Sequence, residues 1–402
     1  MPRTEQAWLG NLAVRNCLLA TLCPLRLTMR LSKADTRRTT VAVSLLLASL
    51  AVGRAQAGTS GVMQPIPVKV VVVAMFEPGA DTGDAPGELQ TWVERDHLDR
   101  VYAVPGAYHA ARMNDAGELA IVTGQGTAHA AATIMALGLD PEFDLSHAYW
   151  LIAGIAGASP EQASLGSAVW ARWVVDGDLG YEIDAREIPP TWTTGMVPLR
   201  RAEPFEQPVD ALPGQVFALN PSLAQWALQK TVSIQLADSP KLAEIRSHFD
   251  GTMAQRPPFV RLGDEVSSST YWHGARMDAW ATEWMRYYTH GAGTFVTTAM
   301  EDTGTLASLH QLAENGRVDW KRILVLRTVS NFDRPPRGMD AATSLRYQRV
   351  SRFGAYLPSI ASAYTVGHAV VEQLIAGWNV YRNQEPTTTP AMQKANQAAG
   401  GR

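Results

Sequence analysis

Cysteine is nearly absent: the 402 residues include only Cys17 and Cys23, both close to the N-terminus. A fold held together by disulfides is excluded, and so is a cysteine-ligated zinc site in the body of the chain. Histidine does not supply a local metal motif either, because the nine histidines are never closer than twelve positions apart, the gap between His97 and His109. The expectation is therefore no metal. No Gly-x-x-x-x-Gly-Lys-Ser/Thr loop occurs, so nucleotide triphosphate hydrolysis lacks its phosphate cradle. Long apolar runs are also missing. After residue 58 the longest, Val70–Met75 and Tyr149–Ala158, are strand-length, where a spanning helix needs roughly 18 apolar residues or more.

The one shorter apolar run of another kind is 41–53, VAVSLLLASLAVG, preceded by Arg30, Lys33, Arg37 and Arg38 and followed by Ala55-Gln56-Ala57. A basic region, a short apolar stretch and a small-x-small site are the parts of a secretory signal peptide. Residues 1–57 are read as that signal, with Met29 as an alternative start. The expected location is secreted or periplasmic after cleavage near Ala57, by the general or the twin-arginine route. Removing 1–57 takes away eight basic and two acidic residues, leaving 27 basic against 36 acidic, a net charge of −9. A chain this acidic, without a basic stripe, is not built to bind nucleic acid.

What the chain does have is the pattern of an α/β protein. Val68–Met75 (VKVVVVAM) is β-branched and continuous, as expected of a strand buried on both faces. Further strands are expected at Glu118–Val122, His147–Ala153, Gly166–Val175, Val260–Val266, Gly293–Thr298 and Arg322–Val329, with helices at Ala128–Leu137, Ala275–Thr289, Thr303–Glu314 and Tyr356–Trp378. Between about 183 and 258 the composition turns to Pro, Gln and polar residues, with helical stretches near 222–230 and 238–250, which reads as one large insertion. Its Trp192 and Trp226 are candidates for a lid or an oligomer contact. The expected architecture is a single three-layer αβα domain over 58–382 around a central mixed sheet, followed by a flexible tail over 383–402.

Residues that could carry chemistry cluster at strand ends, where open α/β sheets hold ligands. Val68–Met75 leads to Phe76-Glu77-Pro78-Gly79, and Glu118–Val122 leads to the Gly-rich turn Thr123-Gly124-Gln125-Gly126-Thr127. Gly293–Thr298 leads to Met300-Glu301-Asp302, and Arg322–Val329 leads to Ser330-Asn331-Phe332-Asp333 with Arg327 inside an apolar run. A charged residue in a buried strand needs a partner or a ligand. On the residues alone, Glu301 or Asp302 caps its helix or serves a site, Arg327 is a structural ion pair or a ligand contact, and Tyr271 and Trp272 are core aromatics or a stacking platform. His129 reads as structural, and His109 and His273 have no assigned role.

The stretches Val122–Ala132 (VTGQGTAHAAA), Leu151–Gly157 (LIAGIAG), Tyr181–Pro189 (YEIDAREIP), Ser268–Gly274 (SSTYWHG), Glu301–Leu306 (EDTGTL) and Arg327–Pro336 (RTVSNFDRPP) resemble the purine nucleoside permease family across nearly all of 68–380. Through it they resemble the nucleoside phosphorylase and hydrolase superfamily. The resemblance implies a nucleoside phosphorylase-like fold and a site for purine nucleosides. It implies that Glu301 grips the ribose hydroxyls, Met300 packs beneath the sugar, Tyr271 with Trp272 faces the base, and Asn331 hydrogen-bonds the imidazole-ring nitrogen. Glu77, Thr123, Gly124, Asp302 and Arg327 would surround the sugar and the nucleophile. Many relatives carry Asp where this chain has Asn331; Asn can hydrogen-bond a purine but not protonate it, which favours 6-oxo purines, and Asp333 is the substitute acid.

Phosphorylases ring their phosphate with arginines, and the 123–127 turn has none. Glu77 facing that site would repel a dianion and activate water instead. Hydrolysis is therefore expected, without a cofactor, with phosphate as co-substrate in the alternative. The two functions in view are an exported enzyme cleaving purine nucleosides and a nucleoside-binding component that serves a separate transporter. A homo-oligomer is expected because many relatives build part of the site from a neighbouring subunit.

Overall fold

The computed structural model describes residues 64–206, 210–348 and 354–388. The expected signal segment 1–57, the alternative start at Met29 and most of the expected tail lie outside the described residues. Among the described residues no helix is long and apolar enough to cross a membrane.

The core is a twelve-stranded mixed sheet. Its strands are β1 (Val70–Ala74), β2 (Arg100–Tyr102), β3 (Ala111–Met113), β4 (Glu118–Val122), β5 (Tyr149–Ala158), β6 (Ala168–Trp170), β7 (Trp173–Asp176), β8 (Val216–Ala218), β9 (Val260–Leu262), β10 (Asp264–Ser267), β11 (Phe295–Ala299) and β12 (Ile323–Phe332). The main path is β8-β7-β10-β11-β5-β1-β4-β3-β2, with β12 on the other edge of β5 and β6 joining β12 to β9. Because β6 and β7 are separated only by Ala171 and Arg172, the strands β5, β12, β6, β7, β10 and β11 close a circuit.

Helices cover both faces, giving the three layers that the alternation of buried residues requires. Val71, Val73, Leu119 and Ile121 pack with Ile134 and Leu137 of α2 (Thr127–Leu139) and Leu306 and Leu309 of α6 (Asp302–Glu314). Their neighbours Val70, Val72, Ala120 and Val122 face the opposite layer. There they meet Trp92 of α1 (Gln90–Arg95), Leu223 of α3 (Pro221–Thr231), and Val366 and Val370 of α8 (Tyr356–Ala376). The remaining helices are α4 (Pro240–Ser247), α5 (Ala275–Tyr288), α7 (Ala341–Gln348) and the short α9 (Trp378–Tyr381), with a single 3-10 turn at Trp320–Arg322.

Local signals explain most of the boundaries. Asn220 caps α3, accepting from the N–H groups of Ser222 and Leu223, with Pro221 in the first turn; Ser239 does the same for α4 through Leu242. The expected single strands at 166–175 and 260–266 are each two strands that change partners. The short strands β2 and β3 at the sheet edge, and α7, were not expected. They are three to eight residues long and carry no clear apolar period.

The segment 183–258 is not an appended lid. It adds strand β8 to the sheet, and α3 sends Leu223, Trp226 and Ala227 into the main core. The indole N–H of Trp170 donates to Thr231 at 3.0 Å. Trp226 is thus core, 2% exposed, while Trp192 lines a separate surface cavity with Trp280 and Phe205.

The end of the fold that carries the Gly-rich turn depends on one close approach. Gly304, in the first turn of α6, lies so near the Thr127 carbonyl at the start of α2 that a Cβ there would overlap it. Gly304→Ala should therefore cost about 1–3 kcal/mol through overpacking, read as a lowered urea midpoint. An unchanged midpoint would show that the two helix starts have room to spare.

Candidate active site

Strand β5 creates the site by changing partners. Residues Tyr149–Ile152 pair with β1, and Gly157 and Ala158 pair with β11 on the same edge. Between them the edge from Ala153 to Ala156 is uncovered by strand, and buried amides there need other acceptors. Glu88 supplies one. Its carboxylate accepts from the N–H of Ile155 at 2.6 Å and from the N–H of Met75 at 2.8 Å, bridging the ends of β5 and β1. A Cβ on Gly154 would sit 2.5 Å from the Glu88 carboxylate and 2.7 Å from the Arg327 guanidinium, so only glycine lets both reach the strand.

Beneath this gap a single guanidinium meets three carboxyl groups. Arg327, 1% exposed, forms a bidentate pair with Asp302, through Nε at 3.0 Å and through a short Nη2 contact. Glu265 and Glu301 each approach it at 3.5 Å, and its Nη1 donates to the Ile155 carbonyl at 3.2 Å. Burial opposes the Arg327 charge, but Asp302 and Glu265 outweigh it and hold the group firmly protonated.

The carboxyls differ in their protonation. Burial pushes Glu88 up to about 7; the charge of Glu301 adds to this, while Arg327 and the two backbone N–H groups pull the other way. Burial likewise raises Glu301. Glu265, fully buried and without a hydrogen-bond partner for either oxygen, is pushed well above the carboxylate range by burial and by Asp302.

Above the gap lies a cavity of about 160 Å³. Its lining includes Met75, Phe76, Glu88, Gln125, Ile155, Tyr271, Met300, Glu301, Ser330 and Asn331. No lysine or arginine is among the lining residues. Tyr271, Ser330, Asn331 and Ile155 are shared with a second chamber of about 430 Å³, which continues to Leu345, Gln348, Gly354 and Tyr356. Met75, Phe76 and Gln125 are shared with a third chamber, of about 520 Å³, bounded by Glu77, Gly124, Tyr108 and His129. Among the described residues no three His, Cys, Asp or Glu side chains are grouped to hold a metal ion.

Of the residues expected to form the site, Met300, Glu301, Tyr271 and Asn331 are brought together on the inner cavity. Glu301 is held there by the N–H of Gly126 at 3.3 Å, which ties the Gly-rich turn to the start of α6. Gly124 lines only the outer chamber. The other positions need correction. Glu77 also borders the outer chamber, but its carboxylate is committed to the N–H groups of Gly87, Leu89 and Gln90 at 2.5, 2.9 and 2.7 Å, so it staples the turn into α1. Arg327 and Asp302 lie behind the cavity wall and are occupied with each other. Thr123 is fully buried, its hydroxyl donating to the Gly124 carbonyl. Trp272 packs on Trp280 and Phe295 within an aromatic cluster. Asp333 is buried against Asp278, and burial with that second carboxyl raises it well above its ordinary value.

Glu88 is the residue that the sequence reading passed over. In Pro86-Gly87-Glu88-Leu89 it looks like an ordinary carboxylate ahead of a helix. Only the outward fold of the 78–87 loop returns it to the end of β1. Gln348 was missed with the helix that carries it.

The sequence signature of the family described as "Purine nucleoside permease (NUP)" matches residues 67–386. A purine nucleoside permease of Candida albicans is 30% identical over 270 residues, 66% of each chain. A probable purine nucleoside permease of Schizosaccharomyces pombe is 29% identical over 357 residues, covering 84% of this chain and 98% of its own. Among solved structures, a 5'-methylthioadenosine/S-adenosylhomocysteine nucleosidase from Neisseria meningitidis, in complex with methylthio-immucillin-A, has a TM-score of 0.44 and 16% identity, over 76% of this chain and 99% of that one. Futalosine hydrolase of Helicobacter pylori has a TM-score of 0.45 and 12% identity, over 76% and 98%.

Removing one member of the buried ion pair leaves the other charge stranded, so Asp302→Ala should cost about 3–5 kcal/mol in urea unfolding. The apolar double replacement Arg327→Met with Asp302→Leu should cost less than Asp302→Ala alone. The opposite order would mean that the guanidinium is held mainly by its other neighbours.

Proposed function

Because the chain belongs to the purine nucleoside permease family, we propose that the cavity over Arg327 binds a purine nucleoside and cleaves its N-glycosidic bond with water. The observation that carries this reading is Glu88: a carboxyl 4% exposed, on the cavity wall, with its pKa pushed up to about 7. A group tuned to neutrality suits proton transfer at working pH better than simple binding requires.

In this reading Glu301 accepts hydrogen bonds from the sugar diol, and Met300 packs against the ring. A water beside Glu88 gives its proton to that carboxylate as its oxygen bonds to the anomeric carbon. The bond from the anomeric carbon to the base nitrogen breaks, and its electron pair leaves with the base. Such a step passes through a cation-like sugar, which the surrounding carboxylates favour. Asn331 hydrogen-bonds the departing imidazole-ring nitrogen, which takes its proton from solvent. The lining without lysine or arginine argues for water over phosphate as the nucleophile.

A second reading is a nucleoside-binding component serving a separate transporter. It is favoured by the permease names of the relatives and by the lack, among the described residues, of a helix able to span a membrane.

The deciding measurement follows free base and sugar from adenosine, inosine and guanosine, with and without phosphate. Base with free ribose in phosphate-free buffer is the expected outcome. Base with ribose 1-phosphate only when phosphate is present would make it a phosphorylase, and tight binding without cleavage would leave the binding component. Glu88→Gln should lower kcat by about 10²–10⁴-fold with nucleoside affinity retained. Since Glu88 must be ionised to accept a proton, kcat/KM should rise as pH increases through about 7 and level off above it. A profile flat from pH 6 to 8 would remove Glu88 from the reaction.

A further inference from the structure

The wall shared by the inner cavity and the 430 Å³ chamber carries a chain of hydrogen bonds with one fixed end. The side-chain nitrogen of Gln348 donates to the backbone carbonyl of Phe332 at 3.0 Å and lies 3.5 Å from Nδ1 of His273. A carbonyl can only accept. Burial pulls His273 down to about 4, so its ring is neutral, and its Nε2 lies 2.9 Å from the Ser344 hydroxyl. The Phe332 carbonyl therefore fixes which end of the Gln348 amide is the nitrogen, and leaves its oxygen toward Tyr271.

That orientation passes along the chain. The Tyr271 hydroxyl lies 2.5 Å from the Gln348 oxygen, which cannot donate, so the phenol proton must sit between them. Having given its proton to Gln348, the Tyr271 oxygen can only accept. It does so from the side-chain nitrogen of Asn331 at 3.0 Å. The Asn331 oxygen then faces the Ser330 hydroxyl at 2.9 Å. The reverse polarity, with Tyr271 donating to a flipped Asn331, would set two oxygens together at Gln348.

We infer that Gln348, acting through Tyr271, sets the hydrogen-bond polarity of the base-recognition wall and makes the site selective for 6-aminopurine nucleosides. This rests on the nucleoside reading above and names its substrate class. One Asn331 amide hydrogen goes to Tyr271 and the other has only a long contact, 3.4 Å, with the Phe332 carbonyl, so the wall can turn that second N–H to a base beside an oxygen, Tyr271, that only accepts. Adenine presents the matching edge, with N7 as acceptor and the 6-amino group as donor, whereas a 6-oxopurine presents two acceptors. Its O6 would lie against the Tyr271 lone pair, two acceptors facing each other with no hydrogen between them. The preference expected from Asn331 alone, for 6-oxo purines, is thus reversed by a residue seventeen positions further along the chain.

Gln348 is a positioning residue for specificity, so the test is a ratio. Equilibrium titration of adenosine and inosine, in the full-length Glu88→Gln protein to prevent turnover, should give adenosine at least about tenfold tighter. Adding Gln348→Met frees the Tyr271 proton to turn toward a 6-oxo group, and the ratio should fall to within about threefold. Tyr271→Phe removes the acceptor and should erase the preference in the same way, which keeps the test decisive if Gln348→Met does not fold. A wild-type preference for inosine, or a tenfold ratio that survives both substitutions, overturns the assignment. Failure to bind either nucleoside overturns the nucleoside reading itself, and the polarity assignment with it.

Discussion

One guanidinium organises the ligand-facing end of this protein. Arg327 enters the interior on a strand that is otherwise apolar, and a buried charge there must be neutralised and hydrogen-bonded or the fold does not form. Asp302 at the start of α6 neutralises it, and Glu265 and Glu301 crowd the same cation. The pair joins β12 to α6, and Gly304 lets α6 press against α2 close enough for the Gly-rich turn to hold Glu301. The cavity is shaped by the way this charge is satisfied.

The same arrangement explains the electrostatic character of the site. Buried carboxyl groups cannot all stay ionised beside one cation in a poorly solvated interior, so Glu88, Glu265 and Glu301 are all raised. Asp302 takes the best contact. Glu265 retains its proton, and Glu88, held by two backbone amides but deeply buried, is left near neutrality. On the reading proposed above, the acidic groups and the amide–phenol chain that line the cavity distinguish the two ends of a nucleoside by charge and by hydrogen-bond direction.

Much of the fold was legible in the residues. The continuous β-branched run at 68–75, the small-residue helix after the Gly-rich turn and the apolar strand around Arg327 all stand where their patterns put them, because each is long enough for burial to impose a period. The edge strands at 100–102 and 111–113 and the helix at 341–348 were not legible, since short elements gain their stability from tertiary partners. The segment 183–258 shows the same limit from another side. Its polar composition reads as an insertion, and Leu223 and Trp226, on one face of a capped helix, show that this insertion also closes the core.

For the site, sequence alone marked the strand ends at Met300-Glu301 and Ser330-Asn331, because a strand leading into a helix exposes its last residues wherever the sheet is buried. It also showed that Arg327 requires a partner. It did not distinguish Glu77 from Glu88, since both follow the same strand and precede the same helix. The uncovered amide of Ile155, 67 residues further along the chain, assigns Glu88 to the cavity while the turn at 87–90 claims Glu77. Nor could it orient Asn331, whose amide is symmetric in outline until Phe332, Gln348 and Tyr271 are assembled around it. Residue type and period were set locally; which atom faces the ligand was decided by long-range contacts, because hydrogen-bond direction is a property of the assembled network and not of any one side chain.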